Sequence, residues 1–410
     1  MFLRHRILDA IPFVVLSKGT SSSFRKGTVS GLTHLCIPFE PSDVQWWCTT
    51  TCVAQRMATA AMRRAWKAYA SLSKARLSAL VASTSTAGFV LGSGEHVDVP
   101  KLGWTTLGTL GAACAANATN QLMEVTHDAR MTRTRIRPLP SGRLRRPHAV
   151  AFAVACGGLG VATLHLQTND LAAGLAAGTI ALYTLAYTPM KQRHPVNTWI
   201  GAVVGALPPL IGWAAAQGQL DPGAGVLALG LYFWQIPHFM ALAWLCKDDY
   251  IRGGYRMVSL ADVSGKKTAA IAMRNALYMA PLGFMAVSTG VATNPFAYEC
   301  VAMSAAFGLV ASSMYRNPSL QQARKLFRAS LIHLPAFMGA LMLHRRPNAA
   351  LLLEGDGKEN EDSREEEEGS KQWRREGGAL PSMSSPPFPF LPIPPMHYPT
   401  SAECQTDTKE

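Results

Sequence analysis

Nine apolar segments, each long enough to cross a lipid bilayer, succeed one another between residues 77 and 344 of a 410-residue chain. They fall at 77–94, 104–123, 148–166, 171–189, 197–215, 224–246, 269–289, 297–315 and 326–344. A helix needs about 20 mostly apolar residues to span the hydrocarbon layer. Inside lipid only a helix or a closed barrel satisfies its own backbone. The expected fold is therefore all-α, a polytopic membrane protein with nine transmembrane helices. Charged residues make up only 16% of the chain, against about 25% in ordinary globular proteins. Many segments are rich in Gly, Ala and Ser, which lets helices pack closely in lipid.

The net charge of +13 hides a division. Residues 1–349 hold 33 Lys and Arg against 13 Asp and Glu, whereas residues 350–410 hold 6 against 13. The basic residues are also sided. The connection after the second segment carries Arg130, Arg133, Arg135, Arg137, Arg143, Arg145 and Arg146, and the other even-numbered connections add eleven more, while the odd-numbered ones offer only Lys101. The positive-inside rule then puts the N-terminus and the even-numbered connections on the cytoplasmic side, or the matrix side in a mitochondrion. Charge confined to membrane loops argues against nucleic-acid binding.

Where the second segment meets these arginines, Asn120, Glu124 and Asp128 recur every fourth residue. Steps of four turn a helix by about 400°, so the three side chains share one face. Two carboxylates and an amide at a membrane boundary are costly without a cation to bind. A hard divalent ion such as Mg2+ takes oxygen ligands and shares its shell readily with a substrate's phosphates. Arginines just downstream would hold the phosphate oxygens that the metal leaves free. The pattern points to a diphosphate site. A second acidic cluster, Lys247-Asp248-Asp249-Tyr250, follows the sixth segment and, by parity, faces the same compartment. Only ten acids occur in residues 77–344, and these two clusters contain four of them.

Several stretches together resemble the UbiA superfamily of intramembrane prenyltransferases, and within it the branch that farnesylates heme. They are Asn120-Gln-Leu-Met-Glu124-Val-Thr-His-Asp128, Arg137-Pro138-Leu139, Tyr187-Thr188-Pro189-Met-Lys191-Gln-Arg193, Asn197-Thr-Trp-Ile-Gly201, Pro208-Pro209, and Trp234-Gln235-Ile-Pro237-His238-Phe239. The resemblance covers about residues 69–344. It implies nine helices around a lateral cavity, and Mg2+ held by Asn120, Glu124, Asp128 and Asp249. Those four, with Lys191, would be the catalytic set. Arg133, Arg137, Arg193, Asp248, Tyr250 and His238 would contact substrate. Many superfamily members carry Asp-x-x-x-Asp in the second cluster, but Leu245 stands four residues before Asp249 here, so Asp248 is the weaker second acid. The implied substrates are farnesyl diphosphate and heme B, joined at the 2-vinyl group to give heme O, the first step of heme A synthesis. Implied partners are the bilayer, the downstream heme A synthase and cytochrome c oxidase assembly.

Other features admit two readings each. His238, deep in the sixth segment, is either a porphyrin contact or a histidine bonded to a neighbouring helix. His127 and His194 border the diphosphate side as iron ligands or as interfacial residues, with the latter favoured. His333, Trp234 and Trp244 read as packing. Cys48 and Cys52 are spaced as half a metal site, with no second half. Residues 1–65, basic and rich in Ser and Thr, read as an organelle transit peptide, which would place the protein in the mitochondrial inner membrane. Residues 350–410, acidic and then Pro-rich, read as a disordered tail in the intermembrane space. The nearest rival function is prenyl transfer to a quinone-precursor ring or another tetrapyrrole, and a more distant one is heme or ion transport.

Overall fold

The structure, a computed structural model, describes the backbone of residues 41–348 and the side chains of residues 57–348. The regions expected to be a tail (350–410) and the first part of the leader (1–40) lie outside the described residues, as do the side chains of Cys48 and Cys52. Everything described is helical apart from turns and one isolated antiparallel bridge, Ala292 with Arg345. The all-α expectation holds.

The helices run in chain order: α1 (Pro41–Leu72), α2 (Ala75–Gly92), α3 (Val99–Met123), α4 (Val125–Arg130), α5 (Arg146–Gln167) and α6 (Asp170–Ala181). A π-helical turn (Leu182–Tyr187) leads into α7 (Thr188–Arg193), followed by α8 (Asn197–Gln217), α9 (Pro222–Leu245), α10 (Lys247–Gly253) and α11 (Val258–Ala261). The last four are α12 (Lys266–Leu277), α13 (Ala280–Ser288), α14 (Asn294–Arg316) and α15 (Leu320–Leu343). Residues 41–65, read from sequence as leader, are therefore helical. The chain divides after Arg63 into two compact units, and the helical bundle belongs to the second.

Among the described residues, seven stretches are long and apolar enough to cross a membrane: α5, α6 through α7, α8, α9, α12 with α13, α14, and α15. The other two expected spans, α2 and α3, exist as helices of 18 and 25 residues but fall outside that set. They are diluted by buried polar residues, Ser78 and Ser85 on one and Thr105, Thr109, Asn117, Asn120 and Gln121 on the other. Those polar groups pair with one another: the Ser85 and Thr109 hydroxyls lie 3.1 Å apart, and Asn117 donates to Ser78 Oγ at 3.0 Å. Local signals set the helix starts. Asp98, Asn169, Asp221 and Ser319 each cap a helix by accepting a backbone N–H three positions on, which satisfies a donor that the first turn leaves open.

Close helix crossings position the walls of the interior. At the α2–α8 crossing, a Cβ on Gly212 would stand 1.8 Å from Ser85 O, and one on Gly88 would stand 2.1 Å from Pro209 O. Only glycine lets these backbones touch. The resulting core is dense: Phe89, Trp213, Met240, Phe296 and Phe337 are all at most 1% exposed. At one end, the chain after α15 is stitched across the bundle. Arg345 donates to the carbonyls of Ser93 and Gly94, Arg346 N to Val291 O, and Asn348 to Asp221 and Ser93.

Candidate functional site

The opposite end holds the charged residues. α3 breaks at Glu124 (φ −102°, ψ 11°) before α4 begins, and α9 breaks at Cys246 (φ −104°, ψ 22°) before α10 begins. Each break turns a short, acid-bearing helix across the mouth of the bundle. Asn120, Glu124 and Asp128 are all buried, at 1%, 3% and 0% exposure. Burial at that level requires partners, and each has a cation. Lys74 Nζ donates to Asn120 Oδ1 at 3.1 Å, Lys191 Nζ to Glu124 Oε1 at 3.0 Å, and Arg137 to both Asp128 oxygens at 2.8 and 2.6 Å. Asn120 also donates to Thr188 Oγ1 at 3.3 Å, tying α3 to the start of α7.

The second cluster meets the first through the loop after α4. Asp249 accepts from the backbone N–H groups of Thr132 (3.1 Å) and Arg133 (3.4 Å) and from Arg252 (2.7 Å). Burial alone would raise its carboxyl, but these hydrogen bonds hold it below the usual carboxylate range. Tyr250 is buried edge-on to Tyr255, and the Tyr255 ring also meets His127, whose Nδ1 bonds Gly253 O at 2.7 Å. Burial beside Glu124 and Asp128 pushes the Tyr255 phenol far above its ordinary value.

Not every expected residue joins the cluster. Asp248 and Arg193 are exposed and make no side-chain hydrogen bond or ion pair among the described residues. Arg133, though exposed, does join it: its guanidinium hydrogen-bonds Tyr250 of the second cluster, and its backbone N–H donates to Asp249. His238 is stacked between Trp234 (5.0 Å) and Phe327 (4.8 Å), and its Nδ1 bonds Ser330 Oγ at 2.8 Å. It therefore faces α15 and does not line the central cavity. His194 is exposed, with its Nδ1 accepting from Val196 N, while His333 is buried against Phe307. Trp234 donates to Ser330 O, and Trp244 carries Lys247 4.7 Å from its ring.

The structure adds Lys74, which sequence reading missed. It occupies the α1–α2 link in a left-handed conformation (φ 49°, ψ 52°) that directs the chain into α2. Burial, with the charges of Arg137 and Lys191 nearby, brings its amine down to about 7. Two tyrosines were also passed over. Lys191 Nζ lies 4.5 Å from the centre of the Tyr187 ring, and Tyr187 packs 5.2 Å from Tyr183 across the π-helical turn. That turn, an insertion type often found at functional sites, was the available signal only once the backbone was known.

Beneath the charged mouth lies a cavity of about 220 Å³, lined chiefly by small and apolar side chains of α2, α3, α8 and α9 together with Tyr183 and Tyr187. Its polar lining is sparse: Asn117, Thr179, Thr198, Gln235 and the two tyrosines. An apolar pocket capped by paired carboxylates and cations can hold an amphiphile with a polyanionic head and a hydrocarbon body. Fold and site together define a multi-pass helical membrane protein with an acid–base cluster over an apolar interior.

Residues 81–339 match the UbiA prenyltransferase family. The chain belongs to that family. It is 48% identical over 336 residues to the mitochondrial protoheme IX farnesyltransferase of Arabidopsis thaliana, covering 81% of this chain and 78% of that one. It is 42% identical over 279 residues to the human mitochondrial protoheme IX farnesyltransferase, covering 68% of this chain and 62% of that one. Among solved structures it resembles a UbiA homolog from Archaeoglobus fulgidus bound to DMAPP and Mg2+, with a TM-score of 0.52 at 12% identity, covering 67% of this chain and 99% of that one. At that identity the likeness establishes the fold alone.

Proposed function

We propose that the chain transfers the farnesyl group of farnesyl diphosphate to the 2-vinyl group of protoheme IX, giving heme O, the first step toward heme A. The observation that carries this reading is the 48% identity to a protoheme IX farnesyltransferase across four-fifths of the chain. The buried acid–base cluster over the cavity supplies the physical means. The setting proposed is the mitochondrial inner membrane, with the charged mouth toward the matrix.

The oxygen donors at the mouth suit Mg2+. Asn120, Glu124, Asp128 and Asp249 offer hard ligands only. Among the described residues no three His, Cys, Asp or Glu stand close enough to cage an ion alone. Bound there, Mg2+ would neutralise charge on the departing diphosphate.

The chain's own residues do the rest. Lys74, Lys191 and Arg137 now spend their charge on Asn120, Glu124 and Asp128. Turning them toward a diphosphate exchanges one set of short contacts for another and stabilises the leaving group as its charge builds. Tyr187, with Lys191 over its ring, sits between that charge and the hydrocarbon interior. An allylic cation formed at C1 of the prenyl chain would face its π surface. The apolar walls keep bulk water from the cation until the vinyl group attacks.

The decisive experiment incubates the membrane-inserted chain with heme B, farnesyl diphosphate and Mg2+ and separates the pigments. Heme O is the expected product. Formation of only a prenylated quinone precursor, when such a ring is also supplied, would show that the acceptor is wrong.

A further inference from the structure

A farnesylated heme carrying a hydroxyl needs one water admitted to a cavity built to exclude water. Gln235 is the group fitted to hold it. Its Nε2 is committed to two backbone carbonyls, Leu231 O at 2.9 Å on its own helix and Ala202 O at 3.2 Å across on α8. With both amide hydrogens spent, the side chain is fixed in orientation, and Oε1 accepts no hydrogen bond among the described residues while Gln235 lines the cavity. An open carbonyl oxygen in a chamber with a sparse polar lining is a place for a donor, and water is the donor small enough to reach it. The chamber, at about 220 Å³, has room for a molecule that takes about 30 Å³ in the liquid.

One neighbour supports the assignment. A Cβ on Gly205 would fall 1.9 Å from Gln235 Oε1, so the backbone of α8 is left bare where this amide lies. Thr198, seven residues or about two turns nearer the mouth on the same helix, is buried at 5% exposure, and its hydroxyl has no partner among the described residues. Helical threonines here normally bond a carbonyl one turn back, as Thr105 does to Lys101 O and Thr179 to Leu175 O. The equivalent carbonyl for Thr198, that of His194, is already taken by Asn197 Nδ2 at 2.8 Å. The α8 wall thus carries an unpaired hydroxyl nearer the mouth, about 10 Å along the helix from the fixed amide and too far to share its water.

Resting on the heme farnesylation proposed above, we propose that Gln235 positions the water that completes the product. The C1–O bond of the prenyl diphosphate breaks, and its electron pair leaves with diphosphate. The π pair of the vinyl group then forms a bond from its outer carbon to C1, leaving a cation on the carbon next to the porphyrin ring. A water that donates one hydrogen to Gln235 Oε1 turns a lone pair toward that cation and forms the C–O bond. Its surplus proton passes to the released diphosphate, the base made in the first step. Without a held water, the cation instead loses a proton from the adjacent carbon and gives an alkene lighter by one water.

The test reads this partition by mass spectrometry of the pigments made by the full chain in membranes from heme B, farnesyl diphosphate and Mg2+ in 18O-water. The unaltered chain should give almost entirely hydroxylated, 18O-labelled product. Gln235→Met keeps length and removes the acceptor, and should lower the ratio of hydroxylated to alkene product about tenfold, the effect of one lost hydrogen bond of ordinary strength. Gly205→Ala leaves Gln235 in place but pushes its amide aside, and should shift the ratio the same way. Unchanged ratios in the folded Met and Ala variants overturn the assignment. So does loss of all turnover with no alkene formed, since the residue would then be needed before water adds. If the unaltered chain makes no farnesylated heme, the acceptor assignment fails and not the water site.

Discussion

At the scale of single residues, burial turns several expected ligands into partners first. Glu124 and Lys191 form an ion pair of which neither side chain exceeds 12% exposure. Removing one member strands the other, a loss of about 3–5 kcal/mol. Glu124→Gln and Lys191→Met should therefore each lower the unfolding temperature in detergent as well as activity. The double variant should regain much of the stability, with turnover still at least about 10²-fold down. A double variant no more stable than the singles would show that the pair is not coupled. The spacing of Asn120, Glu124 and Asp128 was legible because one helix carries all three. Lys74 was not, because its contact with Asn120 joins positions 46 residues apart and a lysine at the head of an apolar segment looks like an ordinary flank. Asp262 offers a pH test away from the site. Burial would raise its carboxyl, but bonds from Thr268 N (2.7 Å), Thr268 Oγ1 (2.8 Å), Gly265 N and Ser264 hold it below the usual range. A lowered folded-state value stabilises above the unfolded one and is lost as pH falls through the folded one. Asp262→Asn should cost about 1–3 kcal/mol at pH 7, and the gap to the unaltered protein should close below about pH 4. A gap that persists in acid would mean that the carboxylate's charge is not the source.

At the scale of elements, the acidic clusters were found from sequence but their mounting was not. Hydropathy marks where a span ends, yet α3 and α9 do not simply end: each breaks in nearly the same backbone conformation and continues as a short helix across the mouth. No proline or glycine stands at Glu124 or Cys246 to announce a break. His238 shows the same limit from the other side. Its depth in a span made it a candidate for porphyrin, and only the packing of α9 against α15 shows Trp234, Phe327 and Ser330 around it. The geometry favours the reading of a histidine bonded to a neighbouring helix. His238→Ala should cost about 1–3 kcal/mol through the lost hydrogen bond and contacts, while heme affinity per folded molecule stays unchanged in a spectroscopic titration. A weakened titration with normal stability would return His238 to the porphyrin.

At the scale of the whole molecule, each apolar stretch read from the sequence falls on a helix, but among the described residues only seven stretches qualify as spans on apolarity. The shortfall is itself informative: α2 and α3 are the helices whose interior positions went to hydroxyls and amides that build the site. The stitching after α15 had no sequence signal, since Arg345 and Arg346 look like one more basic flank. Arg345→Ala removes bonds to the carbonyls of Ser93 and Gly94 and should lower the unfolding temperature by several degrees, about what 1–2 kcal/mol gives in a bundle of this size. No shift would mean that the strap lies on the surface without bracing it. Because Arg345 and Asn348 sew the far end shut above a dense layer of Phe89 and Trp213, the interior is a blind alley. Cargo enters past the charges or slips between helices from the lipid. A pigment that has just gained a long greasy tail has one comfortable way out, sideways into the bilayer, so the product is handed on within the membrane and is never released to water.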